Sequence, residues 1–156
     1  MRKNPQWRIE IKINAPLKKV WDIGDDLTLI PQFHPEVRTV EFISGQTRRA
    51  VGVSYKCIVP EGRKGWCIER IVEHVPYQRT LIDFPEDSWE LSRMFSDFMT
   101  ELGVSAADDG STIVFLEAYY SPNGFIVSML NALLMRRVMR KKAMLTLQGL
   151  KRLVES

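Results

Sequence analysis

The sequence predicts an α+β fold: an antiparallel sheet with one apolar face, covered by a single long C-terminal helix. Three observations carry this. Trp7, Ile9, Ile11 and Ile13 alternate with Arg8, Glu10, Lys12 and Asn14, the period-two pattern of a half-buried strand. Between Glu36 and Ser121 six more strand-like segments follow one another with only turn residues between them, the order of a meander and not of alternating βαβ units. After the turn Ser121-Pro122-Asn123-Gly124, about thirty residues run to Ser156 without proline and with apolar side chains at helical spacing. A sheet with one apolar face needs a cover, and such a helix supplies one.

Taken in order, the first strand is followed by Ala15-Pro16, which opens a short helix through Leu17, Val20 and Trp21, proline being acceptable in a first helical turn. Asp25 and Asp26 are placed to cap a second short helix over Leu27 to Phe33. The six strands fall near 36–43, 49–59, 64–74, 78–85, 89–102 and 111–121, joined by turn residues such as Ser44-Gly45, Val75-Pro76 and Asp108-Asp109-Gly110. The terminal helix is apolar almost all round from Phe125 to Met135, then narrows to the stripe Met139, Ala143, Leu147, Leu150 and Val154. Ile126, Leu130 and Leu134 are expected to face the sheet, leaving Phe125, Met129 or Leu133 to meet something else. Arg136, Arg137, Arg140, Lys141 and Lys142 make a basic patch mid-helix. It reads as a solvated face, with binding to anionic membrane or nucleic acid as alternatives.

Composition bounds the function. The 156 residues, 45% hydrophobic and 26% charged, suit one domain spanning 1–156. No apolar run reaches the roughly 18–20 residues of a membrane span, and the N-terminus leads into a strand and not a signal sequence, so a cytoplasmic protein is expected. A net charge of +3 argues against a nucleic-acid partner. Two cysteines (Cys57, Cys67) and two histidines (His34, His74) lack the paired short spacings of structural zinc, so no metal is expected. A turn at Pro60-Glu61-Gly62-Arg63 pairs Val59 with Lys64, which sets Cys57 opposite Trp66, turns Cys67 to the other face and leaves both thiols reduced. No G-x-S-x-G, G-x-x-x-x-G-K-[ST] or G-x-G-x-x-G motif occurs, so serine-hydrolase, nucleotide and dinucleotide chemistry lack local support and no cofactor is expected.

Following the pleat through the turns places Val53, Tyr55, Cys57, Trp66, Arg70, Ile82, Phe84, Trp89, Arg93, Phe95, Asp97, Phe115, Glu117 and Tyr119 on one inner face. The solvated face then holds Lys56, Glu69, Glu73, Asp83, Glu90 and Thr100. A β-bulge would exchange the faces beyond it. Arg70, Arg93, Asp97 and Glu117 are then charges that must pair with one another, with ligand or with trapped water. In the functional reading an arginine, Arg70 or Arg93, anchors an anionic group of an apolar ligand while Asp97 or Glu117 moves a proton. His34, able to titrate near neutral pH, is the best single acid–base candidate. Tyr55 and Tyr119 offer hydrogen bonds, and Phe84, Trp89, Phe95, Phe115, Leu130 and Leu134 would complete an apolar ligand site.

The order of strand, two short helices, six-stranded meander and long helix carries a family resemblance. It is marked by Ile13-Asn14-Ala15-Pro16 with Val20-Trp21, then Phe33-His34-Pro35, Gly45, Val51-Gly52, Gly65, Glu69-Arg70-Ile71 and Leu150-Lys151-Arg152-Leu153. In these the chain resembles the START/Bet v 1-like (SRPBCC) superfamily, and within it the polyketide cyclase/dehydrase and lipid-transport group. The resemblance implies a helix-grip fold: a curved seven-stranded sheet wrapped on the terminal helix, with the two short helices closing one end of an apolar cavity. The function it implies is binding or carrying a hydrophobic small molecule, a lipid, isoprenoid or polyketide-like compound. The alternatives are an aromatase/cyclase or dehydratase using cavity acid–base residues, and a membrane-associated lipid-transfer or interaction protein, with a homodimer among the arrangements open to it.

Overall fold

The expected alternation of the first strand is realised: Trp7, Ile9 and Ile13 are buried while Arg8 and Glu10 face solvent. The computed structural model describes residues 4–59 and 64–156. Strand β1 (Trp7–Ile13) leads into α1 (Leu17–Gly24), a 3₁₀ turn (Leu27–Leu29) in which Asp26 caps the Thr28 N–H, and α2 (Ile30–Phe33). The meander follows as β2 (Thr39–Glu41), β3 (Ser54–Ile58), β4 (Trp66–Val75), β5 (Arg79–Asp87), a one-turn α3 (Leu91–Met94), β6 (Phe95–Ala106) and β7 (Thr112–Pro122). All pairings are antiparallel, in the spatial order β1-β7-β6-β5-β4-β3-β2. At Gly124 the backbone takes a φ of +83°, open to glycine without strain, and the chain turns into the covering helix.

Two local events reassign the faces of the sheet. The β3–β4 hairpin closes with the Val59 N–H donating to Gly65 O at 3.0 Å, one residue beyond the expected Val59–Lys64 pair. The turn at Pro60 to Arg63 lies outside the described residues, but its consequence is clear: Cys57 sits opposite Cys67 and Tyr55 opposite Glu69. A one-residue slip turns the side chains of β4 over as far as Ile71, beyond which an irregularity between Ile71 and Glu73 restores the expected facing. Glu69 is therefore inside, and Arg70 is outside, ion-paired with Asp83. Trp66 is outside too, beneath the Lys56 ammonium.

The second event lies where one long strand, 89–102, is expected. The Asp87 carboxylate accepts the N–H groups of Trp89 (2.8 Å) and Leu91 (3.1 Å), a local capture that turns the chain into α3 before β6 begins. Arg93 is thereby exposed and pairs with Glu90 at 2.9 Å. Two residues into β6, Asp97 adopts a φ of +55° in a bulge between Ser96 and Met99. The extra residue exchanges the faces from there on. Asp97 itself points to solvent, Phe98 and Thr100 face inward, and the shifted pairing carries β7 with it. Glu117, Phe115 and Tyr119 consequently lie on the outer face, where Arg8 stacks on the Phe115 ring and bonds Glu117, which also accepts from the Tyr119 hydroxyl. We expect Asp97→Val to destabilise the fold by about 1–2 kcal/mol and Asp97→Gly to be tolerated, because a β-branched side chain is the least suited to positive φ; urea denaturation measures both.

The covering helix runs from α4 (Gly124–Leu130) through a π-helical turn (Asn131–Met135) into α5 (Arg136–Glu155). Its inward line is Val127, Asn131, Met135, Met139, Ala143, Leu147, Leu150 and Val154. Repeated steps of four drift round an α-helix, and the wider π-turn offsets part of that drift. Asn131, fully buried, accepts the Tyr120 hydroxyl at 2.7 Å and donates to Gln6, which pins the rotation of the helix. Ile126, Leu130 and Leu134, expected against the sheet, are therefore turned away from it, with Leu134 55% exposed.

Candidate functional site

Between sheet and helix lies a cavity of about 330 Å³, within the usual range of small-molecule sites. Its sheet wall is built by Trp7, Leu116, Phe98, Leu102, Ile82 and Phe84, and its helix wall by Met139, Ala143, Leu147 and Leu150. Ile30, Phe33 and His34 close one end. Trp89, partly exposed, forms part of the rim; its indole lies over Gly65, where any Cβ would collide with the ring. Lys142 and Glu36, ion-paired at 3.0 Å, lie on the rim as well.

The polar groups of the cavity converge at one place. Arg49, almost fully buried, donates from Nη1 to Gly24 O at 2.7 Å, and its Nε has no partner. Burial opposes its charge, but Tyr55, Glu69 and Asp25 outweigh that and hold the guanidinium protonated. The Tyr55 hydroxyl donates to Glu69 Oε2 at 2.5 Å, and burial followed by the adjacent carboxylate pushes the phenol well above its ordinary range. Glu69 Oε1 lies 3.8 Å from Cys57 Sγ. Contact with the Cys67 thiol, then burial, drives the Cys57 thiol far upward, so it stays protonated. The cluster is one neutral-plus-ionic set: a cation, a carboxylate, a phenol and two thiols.

Among the residues expected at the site, His34, Phe84 and Trp89 line the cavity, Tyr55 supports it through Glu69, and Phe95 is buried beside it against Tyr120 and Phe98. Arg70, Arg93, Asp97, Phe115, Glu117, Tyr119, Leu130 and Leu134 are not brought to it, for the reasons of register, bulge and helix rotation given above. Arg49, Glu69 and Thr100 are among the polar residues that take their place. The signal for Glu69 is the hairpin register; Arg49 falls in the expected strand 49–59 on the parity of Val53 and Tyr55, but that strand begins only at Ser54 and Arg49 lies in the loop before it.

His34 Nδ1 accepts the Glu36 N–H at 3.2 Å, so the neutral ring carries its proton on Nε2. Burial lowers His34 from its ordinary 6.5 against the opposing pull of Glu69 and Glu36, and burial lowers His74 likewise. With folded-state values below the unfolded one, the unfolded chain takes up these protons first, so their contribution to stability is present above pH 6.5 and is lost as pH falls below it. Thermal midpoints should therefore drop on acidification from about pH 7.5, and the double variant His34→Gln/His74→Gln should flatten that slope.

No helix among the described residues is long and apolar enough to cross a membrane. No curated protein sequence matches the chain, whereas solved structures match closely in shape. A Thermus thermophilus protein shares 21% identity over 94% of each chain with a TM-score of 0.71. Ara h 8.0201 shares 15% over 95% of each chain at 0.69, and truncated norcoclaurine synthase from Thalictrum flavum shares 15% over 95% of this chain and 91% of that one at 0.73. These likenesses establish the helix-grip fold. The sequence profile described as polyketide cyclase/dehydrase and lipid transport matches residues 6–155, and a hydrophobic cavity is the common ground of that description and this structure. With almost its whole length covered by that profile, the chain belongs to the polyketide cyclase/dehydrase and lipid transport family.

Proposed function

We propose that the protein binds and carries a compact hydrophobic molecule bearing one anionic group. The observation that supports this reading most is Arg49: a buried cation with a spare donor at the polar end of an otherwise apolar cavity. Glu69 and Asp25 offset the charge but leave the Nε donor unused, and a carboxylate, phenolate or enolate on a ligand would take that hydrogen bond. The volume favours a fused-ring or short branched compound over a long acyl chain. Calorimetry with naphthoate and its neutral methyl ester tests the reading. Naphthoate should bind more tightly than the ester; equal or absent binding of both would overturn it. His34, whose neutral ring carries its proton on Nε2, also lines the cavity and would supply the proton donor that a cyclase or dehydratase requires.

The exposed half of the covering helix favours a second reading, delivery at an anionic bilayer. Phe125 (81% exposed), Ile126, Leu133 and Leu134 stand in solvent, and exposed Arg137, Arg140 and Lys141 follow on the same helix. Apolar side chains joined to cations match a negatively charged lipid surface. In flotation with vesicles containing phosphatidylserine, wild type should float and Phe125→Ser/Leu133→Ser should remain in solution. Equal flotation of the two, or none by wild type, would refute it.

A further inference from the structure

We propose that Cys57, Cys67 and Glu69 form a zinc site whose remaining coordination position opens into the cavity. Their Sγ and carboxylate oxygen atoms lie within 4.8 Å of one another, the one such cluster of three potential ligands among the described residues. Tetrahedral coordination asks for ligand atoms about 3.5–3.8 Å apart, given Zn–S near 2.3 Å and Zn–O near 2.1 Å. The Cys57–Glu69 pair already has that spacing at 3.8 Å. Small side-chain rotations complete the rest. Cys67 and Glu69 lie on the cavity wall with Cys57, so solvent or a ligand can reach the fourth position.

The ladder explains why the thiols suit an ion. Val59 donates to Gly65 O and Ile71 donates to Val53 O, so every second opposed pair along this hairpin is a hydrogen-bonded one, and Cys57–Cys67 is among them. Such pairs hold their Cα atoms about 5.5 Å apart, wider than the roughly 4.5 Å of the alternate pairs. That separation leaves space between the sulfurs for a metal.

The outer shell is also in place. Tyr55 holds Glu69 Oε2 by its 2.5 Å hydrogen bond, leaving Oε1 turned toward Cys57. Hydrogen bonds of this kind fix the orientation of a ligating carboxylate. Formal charge is conserved as well. Without metal the site holds Glu69 as anion, Arg49 as cation and two neutral thiols. With metal, Zn²⁺ forms two Zn–S bonds and one Zn–O bond, and two protons leave to solvent. The dication replaces two thiol protons, so loading leaves the net charge of this low-dielectric wall unchanged, which removes the main electrostatic obstacle to burying it. Two thiolates with one carboxylate suit Zn²⁺ better than Mg²⁺ or Ca²⁺.

The test is cobalt titration of metal-free, fully reduced protein under argon, followed by zinc displacement. We expect one equivalent of Co²⁺ to bind with thiolate-to-cobalt charge-transfer absorption and tetrahedral ligand-field bands, and Zn²⁺ to abolish both. Cys67→Ala should lose the charge-transfer absorption of a two-thiolate site, and Tyr55→Phe should weaken zinc about 10–100-fold, as losses of a ligand's hydrogen-bond partner do. Cys67 is only half-buried, so its variant keeps the test usable if Cys57→Ala fails to fold. Absence of the charge-transfer band in wild type, or its unchanged persistence in Cys67→Ala, overturns the proposal. Protein that binds naphthoate but not cobalt refutes the metal site alone, and the converse refutes the anion-carrier reading alone.

Discussion

Gly149→Ala is expected to lower the thermal midpoint by about 6–12 °C, the equivalent of roughly 3 kcal/mol for a chain of this size. Gly149 is buried on α5 where the helix crosses α2, and a Cβ there would overlap the Phe33 carbonyl oxygen while lying 2.9 Å from its carbonyl carbon and 3.2 Å from its Cα. The obstruction is backbone, so no rotamer change relieves it and the two helices must part. Helix propensity pulls the other way by about 1 kcal/mol in favour of alanine, which makes the sign informative. Because Phe33, Leu147 and Leu150 all line the cavity, the same substitution should weaken naphthoate binding. A variant as stable as wild type, measured by circular dichroism, would mean that α2 and α5 do not approach this closely.

Arg49→Met should reduce naphthoate affinity about 10–100-fold while leaving binding of the methyl ester nearly unchanged, the loss of one charge-assisted hydrogen bond worth roughly 1.5–3 kcal/mol. The comparison of the two probes isolates charge recognition from any general loosening of the cavity, which would weaken both. Stability should fall on the order of 3 kcal/mol as well, since Glu69 and Asp25 lose their buried counter-charge. Arg49→Lys should restore part of the stability and less of the affinity, because an ammonium cannot reproduce the planar donor set. If Arg49→Met binds both probes as wild type does, the anion-anchoring role fails.

The two cysteines show how one residue of register decides which side chains meet. Ten positions separate Cys57 from Cys67, a spacing unlike the short loops that mark zinc motifs. Counting a four-residue turn sends Cys67 to the outer face; the chain takes one more residue, and the two thiols meet with Glu69 beside them. Asp97 acts the same way on a larger scale. Its single extra residue moves Phe98, Thr100 and Leu102 inward and Phe115, Glu117 and Tyr119 outward. Neither event changes the local hydrophobic pattern enough to be read, because aromatic and aliphatic residues occur on both parities of these strands. Arg49 differs in another way: the expected strand 49–59 sets it on the parity of Val53 and Tyr55, but the strand begins only at Ser54, and the folding of the loop 49–53 against α1 carries its guanidinium under Gly24.

What the sequence by itself determined about this protein is the kind and order of its elements: alternation sets the strands, turn residues separate them, and a proline-free apolar segment makes the covering helix. The family resemblance follows from that order and is borne out over residues 6–155. What only the tertiary structure decided is which side chains share the interior. Facing depends on single-residue register, at the β3–β4 turn and at Asp97, and on the rotation of the covering helix, which a buried hydrogen bond from Tyr120 to Asn131 sets. Those are long-range pairings, and a period of two or of about 3.6 residues carries no information about them.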